Sequence, residues 1–306
     1  MDDLVLAVLS RLVPGGVRPG ELRRDDRVLR WAESGSGRPA VVLDAALGEP
    51  GTLAWAGVMP LLAPRTRVLA YDRAGLGASD PVSPLSLQAQ VDDLVAVVRE
   101  TGERCVLAGH SWGALLGQLA ALQHPELVAG LVLVDPADEE FLAGLPEEGR
   151  RQEIASGEVI VEQYGSGELP DTLREIFGSF AQQLTGDRQL QALILDAYVS
   201  CYAKQSQART VLDEKRLVFE SLQAIRQART RAALPAVPVV IFSATTGRSQ
   251  NERQEWTSRH ARLAASVPYG EHVVLADTGH AVNQERPAEI AQAINHVIDV
   301  ARQRET

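Results

Sequence analysis

The feature of this sequence that most constrains its fold is the pentapeptide GHSWG at residues 109–113. It follows a short apolar run, residues 105–108, and precedes a run of small and apolar residues, 114–122. This order predicts a strand, a sharp turn and a helix, because the two glycines let the backbone bend and let the helix pack close to the strand. Ser111 would then be exposed at the start of the helix, in the geometry of a nucleophile elbow.

The composition is that of a globular protein with a sizeable core, since 45% of the 306 residues are apolar. The formal net charge is −10 and no Lys/Arg cluster is present, so we expect no nucleic-acid partner. The sequence has no apolar stretch of membrane-spanning length, and its first residues lack the basic segment of a secretion signal. We therefore expect a cytoplasmic protein without a membrane partner.

The N-terminus and the two cysteines support structural interpretations. Residues 1–11 predict a short amphipathic helix, which packs either on the body of the protein or on a second subunit of a homodimer. Cys105 and Cys201 are far apart and in no ligand-like spacing, so we expect two reduced, packed thiols. We expect no metal site, because no Cys/His cluster is present, and no organic cofactor.

Strand-length apolar runs alternate with helical patterns along most of the chain. The predicted strands are 41–43, 67–71, 105–108, 131–134, 237–242 and 272–275, and the predicted helices are 53–62, 86–101, 111–124, 254–265 and 287–301. Strands that are apolar throughout are typical of a parallel sheet covered on both faces. The expected fold class is therefore α/β, with a mostly parallel, doubly wound sheet and right-handed crossovers.

The alternation stops at about Pro136 and resumes after Pro235. Between them the sequence is charged and has apolar residues at helical spacing, without a convincing strand pattern. We predict an α/β core in two parts, residues 1–135 and 236–306, with a helical cap at residues 136–235 inserted between them.

An activated serine requires a general base, and His280 is the best candidate. It lies in the sequence DTGH at residues 277–280, directly after the last predicted strand. Loops at the carboxyl edge of a parallel sheet converge on one crevice, so His280 is expected to approach Ser111. The remaining histidines are weaker candidates for the base. His110 lies inside the elbow and is expected to point behind the catalytic residues, and His124 is interpreted as a structural cap at the end of its helix. His260 and His296 lie on the predicted helices towards the C-terminus, and His272 begins a strand.

The acid that orients the base is harder to assign. The loop after the strand at 237–242 contains no aspartate, and its only carboxylate, Glu252, comes late. Asp135 ends the preceding core strand in the sequence LVDP and would lie at the same edge of the sheet. We assign Asp135 as the acid, with Glu252 and Asp138 as alternatives, although an aspartate before proline is also a good turn residue.

The oxyanion of a tetrahedral intermediate requires two backbone donors. The first is expected from the N–H of Trp112 and the second from Leu47, in the loop DAALGEPG at residues 44–51. Trp112 is also expected to present an apolar face to the substrate. Aromatic residues of the predicted cap are expected to line an apolar pocket or to pack between cap helices: Phe141, Phe177, Phe180, Tyr198 and Tyr202.

Three segments together resemble the α/β-hydrolase superfamily over most of the chain. Residues 71–80, YDRAGLGASD, are similar to the family's D-R-x-G-x-G-x-S loop, 109–113 to its elbow and 277–280 to its histidine loop. The resemblance implies the α/β-hydrolase fold and a serine nucleophile at Ser111. It also implies that Asp72 and Arg73 brace their loop rather than react.

The sequence departs from the family pattern at two places. Ala45-Ala46 replaces the usual His-Gly of the oxyanion loop, and the usual late acid is absent. An acid at position 135 resembles the layout of a subset that includes lactone hydrolases of macrocyclic polyketides. The serine at 111 argues against haloalkane dehalogenases and epoxide hydrolases, whose chemistry requires a carboxylate nucleophile. The elbow also resembles that of prolyl aminopeptidases, but their His-Gly-Gly-Pro loop is missing.

The sequence therefore predicts a serine hydrolase of carboxylic esters or lactones, acting through Ser111, His280 and Asp135 by way of an acyl-enzyme. The expected partner is a small hydrophobic ester, with a macrocyclic lactone as one hypothesis. The alternatives are a ligand-binding receptor on the same scaffold, or prolyl-aminopeptidase-like or C–C hydrolase chemistry, because a fold does not determine a reaction.

Overall fold

The computed structural model describes residues 1–305, and the strands of this range form one eight-stranded sheet. In chain order the strands are β1 (Arg18–Arg24), β2 (Arg27–Ser34), β3 (Val41–Asp44), β4 (Val68–Asp72), β5 (Cys105–His110), β6 (Val128–Val134), β7 (Val239–Ala244) and β8 (Gly270–Leu275). Across the sheet the order is β1-β2-β4-β3-β5-β6-β7-β8. Strands β3 to β8 run parallel, which confirms the predicted fold class.

The hairpin of β1 and β2 was absent from the strands that the sequence predicted. Strand β2 pairs antiparallel with both β1 and β4, and Asp25 in the connecting turn has a φ of 47°. Strand β1, with the sequence RPGELRR, is mostly exposed at the edge of the sheet. An edge strand facing water needs no apolar alternation, so this segment carried no strand signal.

The helices of residues 1–305 alternate with the strands, except in one long segment. In chain order they are α1 (Asp3–Leu12), α2 (Gly51–Ala54), α3 (Met59–Leu62), α4 (Leu87–Arg99), α5 (Trp112–Gln123), α6 (Glu139–Gly144), α7 (Glu147–Ser166), α8 (Leu169–Leu184), α9 (Arg188–Tyr202), α10 (Gln205–Arg231), α11 (Gln250–Ala265), α12 (Val282–Glu285) and α13 (Pro287–Glu305), with a 3-10 helix at Pro125–Leu127. The single helix predicted at 53–62 is two short helices, α2 and α3.

Two hydrophobic clusters cover the two faces of the sheet. One joins α1, α2, α3 and α13 to the strands and includes the buried Trp55 and Ile294. The other joins α4, α5 and α11 and includes the buried Leu94 and Leu115. Strands β3 to β7 are buried along their whole length, which explains why they are apolar at successive positions and not only at alternate ones.

Helices α6 to α10 lie between β6 and β7, and we call them the inserted helices. Among them α7 packs against α10 and α8 against α9, and α10 also contacts α5 of the core. Helix α1 packs against α9 and buries Val5, Val8 and Leu9. The N-terminal helix thus lies on the body of the protein, the first of the two placements that the sequence left open.

Cys105 and Cys201 are both buried and free. In residues 1–305 no helix combines the length and the apolar character needed to cross a bilayer. Within the same range no three His, Cys, Asp or Glu side chains are grouped as a metal ion would require.

Candidate active site

Ser111 lies in a sharp turn between β5 and α5. Its φ of 53° and ψ of −111° are unusual for a residue with a side chain, and the surrounding packing maintains them. A Cβ added at Gly109 would come within 2.4 Å of the Ala114 nitrogen, and one added at Gly113 within 2.5 Å of the Ala45 oxygen. The two glycines therefore permit the close approach of helix, strand and neighbouring loop that exposes the serine hydroxyl.

The structure places Ser111, His280 and Asp135 in one hydrogen-bonded chain. Ser111 Oγ is 3.0 Å from His280 Nε2, and His280 Nδ1 is 2.6 Å from Asp135 Oδ2. Asp135 is fully buried, Ser111 is 9% exposed and the His280 side chain is 49% exposed. The three residues follow β6, β5 and β8, whose carboxyl ends share one edge of the sheet.

Asp135 is surrounded by hydrogen-bond donors. Besides His280, its Oδ1 accepts from Trp256 Nε1 at 2.6 Å and from the Ala244 N–H at 2.9 Å, and Arg248 Nη2 lies 3.3 Å from Oδ2. Burial alone would raise the pKa of Asp135, but the hydrogen bond and charge of His280, with the two Oδ1 donors, lower that pKa to about 2. The carboxylate is therefore ionised at neutral pH and can hold one tautomer of the imidazole.

The two alternative acids have other partners. Glu252 is exposed and caps α11 reciprocally with Ser249. Asp138 caps α6 through the Phe141 N–H at 2.8 Å and forms an ion pair with Arg259 at 3.2 Å. The structure brings neither carboxylate to His280.

The two predicted oxyanion donors lie in the same cavity wall as Ser111. Within residues 1–305, neither the Leu47 N–H nor the Trp112 N–H donates a hydrogen bond, so neither group is already paired. The Trp112 indole is buried in the core, where Nε1 donates to Gln90 Oε1 at 2.8 Å. Trp112 is therefore placed to act through its backbone, and its side chain packs inside the protein.

Arg73 anchors residues 44–51, the predicted oxyanion loop. It donates to the carbonyl oxygens of Ala45 and Ala46 at 2.7 and 2.6 Å, and to Asp44 Oδ1 at 2.7 Å. Burial alone would lower the pKa of Arg73, but the charges of Glu214 and Asp44 raise it well above its ordinary value. The loop that lacks the usual His-Gly is thus held by a permanently charged guanidinium.

The inserted helices also contact the oxyanion loop directly. Glu214 of α10 is fully buried, accepts the Gly48 N–H at 2.7 Å and forms an ion pair with Arg73 at 2.8 Å. Tyr202 of α9 donates to the Gly48 carbonyl at 2.9 Å. Gln90, the partner of the Trp112 indole, donates to the same Glu214 at 2.6 Å. One carboxylate is therefore connected to the segments that carry both predicted donors.

A cavity of about 590 Å³ opens above Ser111. Phe141 lines it and contacts Trp256 edge-to-face, with ring centroids 4.9 Å apart. The other predicted cap aromatics lie outside the lining: Phe177 stacks on Tyr198 at 3.8 Å, and Phe180 contacts Tyr198 edge-to-face. Tyr202 reaches Gly48 instead of the cavity. The structure thus assigns Phe177, Phe180, Tyr198 and Tyr202 to packing around the inserted helices, because their apolar stripe is covered by neighbouring helices and core.

Several residues at the site were not singled out from the sequence. Trp256 and Arg248 contact Asp135 from the segment after β7, and Glu49 lines the cavity beside Ser111. His110, expected from the sequence to point behind the catalytic residues, has Nε2 2.7 Å from the His280 carbonyl oxygen. The position of Glu49 in the oxyanion loop was a usable signal, whereas nothing local in the sequence indicates where Trp256 points.

A family model described as "Alpha/beta hydrolase family" matches residues 47–293 of the chain. The match contains the elbow, the inserted helices and the histidine loop, and it covers more than half of the sequence.

Two named proteins are similar to parts of this chain. Polyketide synthase ThaQ of Burkholderia thailandensis is 37% identical over 133 residues, which are 42% of this chain and 6% of that protein. A Caulobacter protein provisionally named carbamate hydrolase RutD is 39% identical over 103 residues, 33% of this chain and 38% of that protein. The chain therefore aligns with well under half the length of either relative.

A solved structure from Pseudomonas aeruginosa, provisionally named an epoxide hydrolase, superposes with a TM-score of 0.71. The alignment covers 95% of this chain and 98% of that one, at 19% identity. At this identity the similarity establishes a shared fold and leaves the reaction to be argued from the site.

Proposed function

The chain belongs to the alpha/beta hydrolase family, and from this premise we propose that it is a serine hydrolase of carboxylic esters or lactones. The observation that carries the proposal is the chain of hydrogen bonds from Ser111 through His280 to Asp135, in the wall of a cavity of about 590 Å³. Sites for small molecules commonly have volumes of roughly 300–1,000 Å³.

The geometry supports an acyl-transfer mechanism. His280 Nε2 accepts the proton of Ser111 as the hydroxyl oxygen attacks the carbonyl carbon, and Asp135 stabilises the resulting imidazolium. The Leu47 and Trp112 N–H groups donate to the oxyanion. His280 returns the proton to the leaving alcohol, which gives the acyl-enzyme. Water then attacks the acyl carbon, with His280 again as base, and releases the acid.

The proposed substrate is hydrophobic around the scissile bond. Apolar side chains from α6 and α10 form much of the cavity wall: Phe141, Leu142, Val218 and Phe219. We therefore propose that the segment 136–235 acts as a cap that selects the substrate, and we retain a macrocyclic lactone as one candidate. Ser111 provides an oxygen nucleophile and no carboxylate, which favours acyl transfer over epoxide or haloalkane chemistry.

A substrate panel tests the proposal. It contains 4-nitrophenyl esters of increasing length, small and macrocyclic lactones, aryl carbamates, an epoxide and a haloalkane. We expect multiple turnovers with at least one ester or lactone, and a loss of roughly 10⁶-fold in kcat for Ser111→Ala. A fluorophosphonate should label Ser111, as located by mass spectrometry. Turnover confined to carbamates, epoxides or haloalkanes, or ester hydrolysis that survives in Ser111→Ala, would contradict the proposal.

A further inference from the structure

The wall of the catalytic cavity contains two polar groups that the proposed mechanism does not use. Glu49 Oε2 and His110 Nδ1 are buried, and neither has a hydrogen-bond partner within residues 1–305. They lie 4.0 Å apart, and both residues line the cavity together with Ser111. Buried polar atoms without a partner are rare, because each one loses its hydration and gains nothing in exchange.

His110 is a hydrogen-bond acceptor at this position. Burial, and secondarily the charge of His280, lower the pKa of His110 to about 3, so the imidazole is neutral at physiological pH. Its Nε2 faces the His280 carbonyl oxygen at 2.7 Å, and this acceptor requires the proton to be on Nε2. Nδ1 therefore presents a bare lone pair towards Glu49.

Glu49 offers a second acceptor to the cavity. Its side chain is 21% exposed although Oε2 is buried without a partner, and the Ala46 N–H lies close enough to the carboxyl to lower its pKa. Burial raises the pKa of the Glu49 carboxyl, against the lowering effects of His280 and Arg73. If the carboxyl carries a proton on Oε2, on the side of His110, Oε1 remains an acceptor. If it is ionised, Oε1 is a stronger acceptor. In both states the carboxyl can accept a further hydrogen bond from a group in the cavity.

We propose that Glu49, backed by His110, forms a subsite that accepts a hydrogen bond from a hydroxyl group of the substrate. The inference rests on the proposed esterase function and narrows its substrate class to hydroxylated esters or lactones. The hydroxyl lies a few bonds from the scissile carbonyl, because His110 also contacts the His280 ring, with centroids 4.8 Å apart, and His280 contacts Ser111.

A hydroxyl fits this subsite better than an ammonium group. His280 must take up a proton during the reaction, and a fixed cation beside it would oppose that charge. A hydroxyl donates its hydrogen without adding charge. It also agrees with the apolar side chains of the cavity wall, among them Leu142, Val218 and Phe219, which cannot solvate an ammonium group.

Matched substrate pairs test the subsite. Each hydroxylated ester, with the hydroxyl at acyl carbon 2, 3 or 4 or on the alcohol part, is compared with its deoxy analogue by kcat/KM. An amino ester completes each set. We expect the wild type to prefer one hydroxylated ester by roughly tenfold or more, the size of one hydrogen bond to a buried carboxyl group. The Glu49→Leu variant should lose that preference while still hydrolysing the deoxy ester.

Two further variants separate this role from others. Glu49→Gln retains an acceptor oxygen of the same reach and should retain most of the preference. Glu153→Leu removes another carboxylate of the cavity, one already paired with Lys215 at 2.5 Å, and should leave the preference unchanged. If Glu49 acted only through its charge on His280, Glu49→Leu and Glu49→Gln would slow both members of every pair equally.

The outcomes also separate this inference from the function on which it rests. If the wild type hydrolyses deoxy esters and prefers no hydroxylated ester, the proposed subsite is wrong and the proposed esterase function stands. A preference for the amino ester likewise overturns it and indicates an ammonium site. Wild type that hydrolyses no ester or lactone overturns both.

Discussion

The amide variant Asp135→Asn should abolish most catalysis without removing the side chain, because every neighbour of this carboxylate is a donor. Trp256 Nε1 and the Ala244 N–H reach Oδ1 at 2.6 and 2.9 Å, and His280 Nδ1 reaches Oδ2 at 2.6 Å. Asparagine keeps one acceptor oxygen and replaces the other with an NH2 group, which must face either His280 and Arg248 or the two donors of Oδ1. Arg248 lies 3.3 Å from Oδ2 and is 21% exposed, so its guanidinium can turn to water when it loses this acceptor.

The two orientations of the amide have different consequences. With NH2 towards His280, the imidazole adapts by moving its proton to Nε2, where it faces Ser111 and prevents base catalysis. This wrong tautomer reduces kcat by about 10⁴-fold in a related triad. With NH2 towards Trp256 and Ala244, the imidazole keeps the active tautomer, but two buried donors lose their acceptor.

The cost of the active orientation sets the size of the effect. Each unsatisfied buried donor costs about 1–3 kcal/mol, so the active orientation is disfavoured by about 2–6 kcal/mol. Since about 1.4 kcal/mol corresponds to a tenfold population ratio, we expect kcat to fall by at least about 30-fold and by up to about 10⁴-fold.

The assay is kcat at saturating 4-nitrophenyl ester near pH 8, with thermal unfolding measured in parallel. Asp138→Asn and Glu252→Gln are matched controls, since these carboxylates cap helices and lie away from His280. They should retain kcat within about threefold. An Asp135→Asn enzyme within tenfold of wild type, or a larger loss in either control, would refute the assignment of Asp135 as the acid.

Three further predictions follow from contacts around the site. Glu214→Ala removes the acceptor of the Gly48 N–H. Because the proposed oxyanion donors lose their alignment, kcat should fall by about 10²–10³-fold with little change in KM. Equal effects on kcat and KM would instead indicate that the whole site is disordered. Trp256→Phe removes one donor to Asp135 and should lower kcat by roughly tenfold, as measured with the same ester; an unchanged kcat would contradict that role. The folded-state pKa of His110, about 3, is below its usual 6.5, so its stabilising contribution is full above pH 6.5 and is lost progressively as the pH falls towards 3. Denaturant titrations at pH 7, 5 and 4 should therefore show a falling free energy of unfolding, and a flat profile would contradict the burial of a neutral imidazole.

The buried parts of the fold could be predicted because their signals are local. Strands β3 to β7 are covered on both faces, so their apolar runs identify them directly, and the elbow at 109–113 is determined by its own glycines. Strand β1 could not be found in this way. It lies largely in water, so its sequence is polar and has no apolar run.

Some residues of the site could not be predicted from the sequence, because their contacts join distant segments of the chain. Glu214 is 166 residues from Gly48, and Trp256 is 121 residues from Asp135, so no spacing rule connects them. The aromatic stripe of the inserted helices was ambiguous for a different reason. Phe177 and Tyr198 have the pattern expected of either a pocket or a helix interface, and only the stacking between α8 and α9 distinguishes the two.

The geometry around Asp135, the proposed acid, explains how a carboxylate at the end of β6 reaches the histidine loop. Strands β6 and β7 are adjacent and parallel, so their carboxyl ends are separated by only about 4.8 Å. The backbone of Asp135 has a φ of 43°. Its side chain reaches the end of β7, where it accepts a hydrogen bond from the Ala244 N–H. The end of β7 and the segment after it therefore supply donors to Asp135, through Ala244, Arg248 and Trp256. Because these donors hold both oxygens of the carboxylate, the orientation of the imidazole depends on β6 and β7 together, and a variant on either side should affect the same proton transfer.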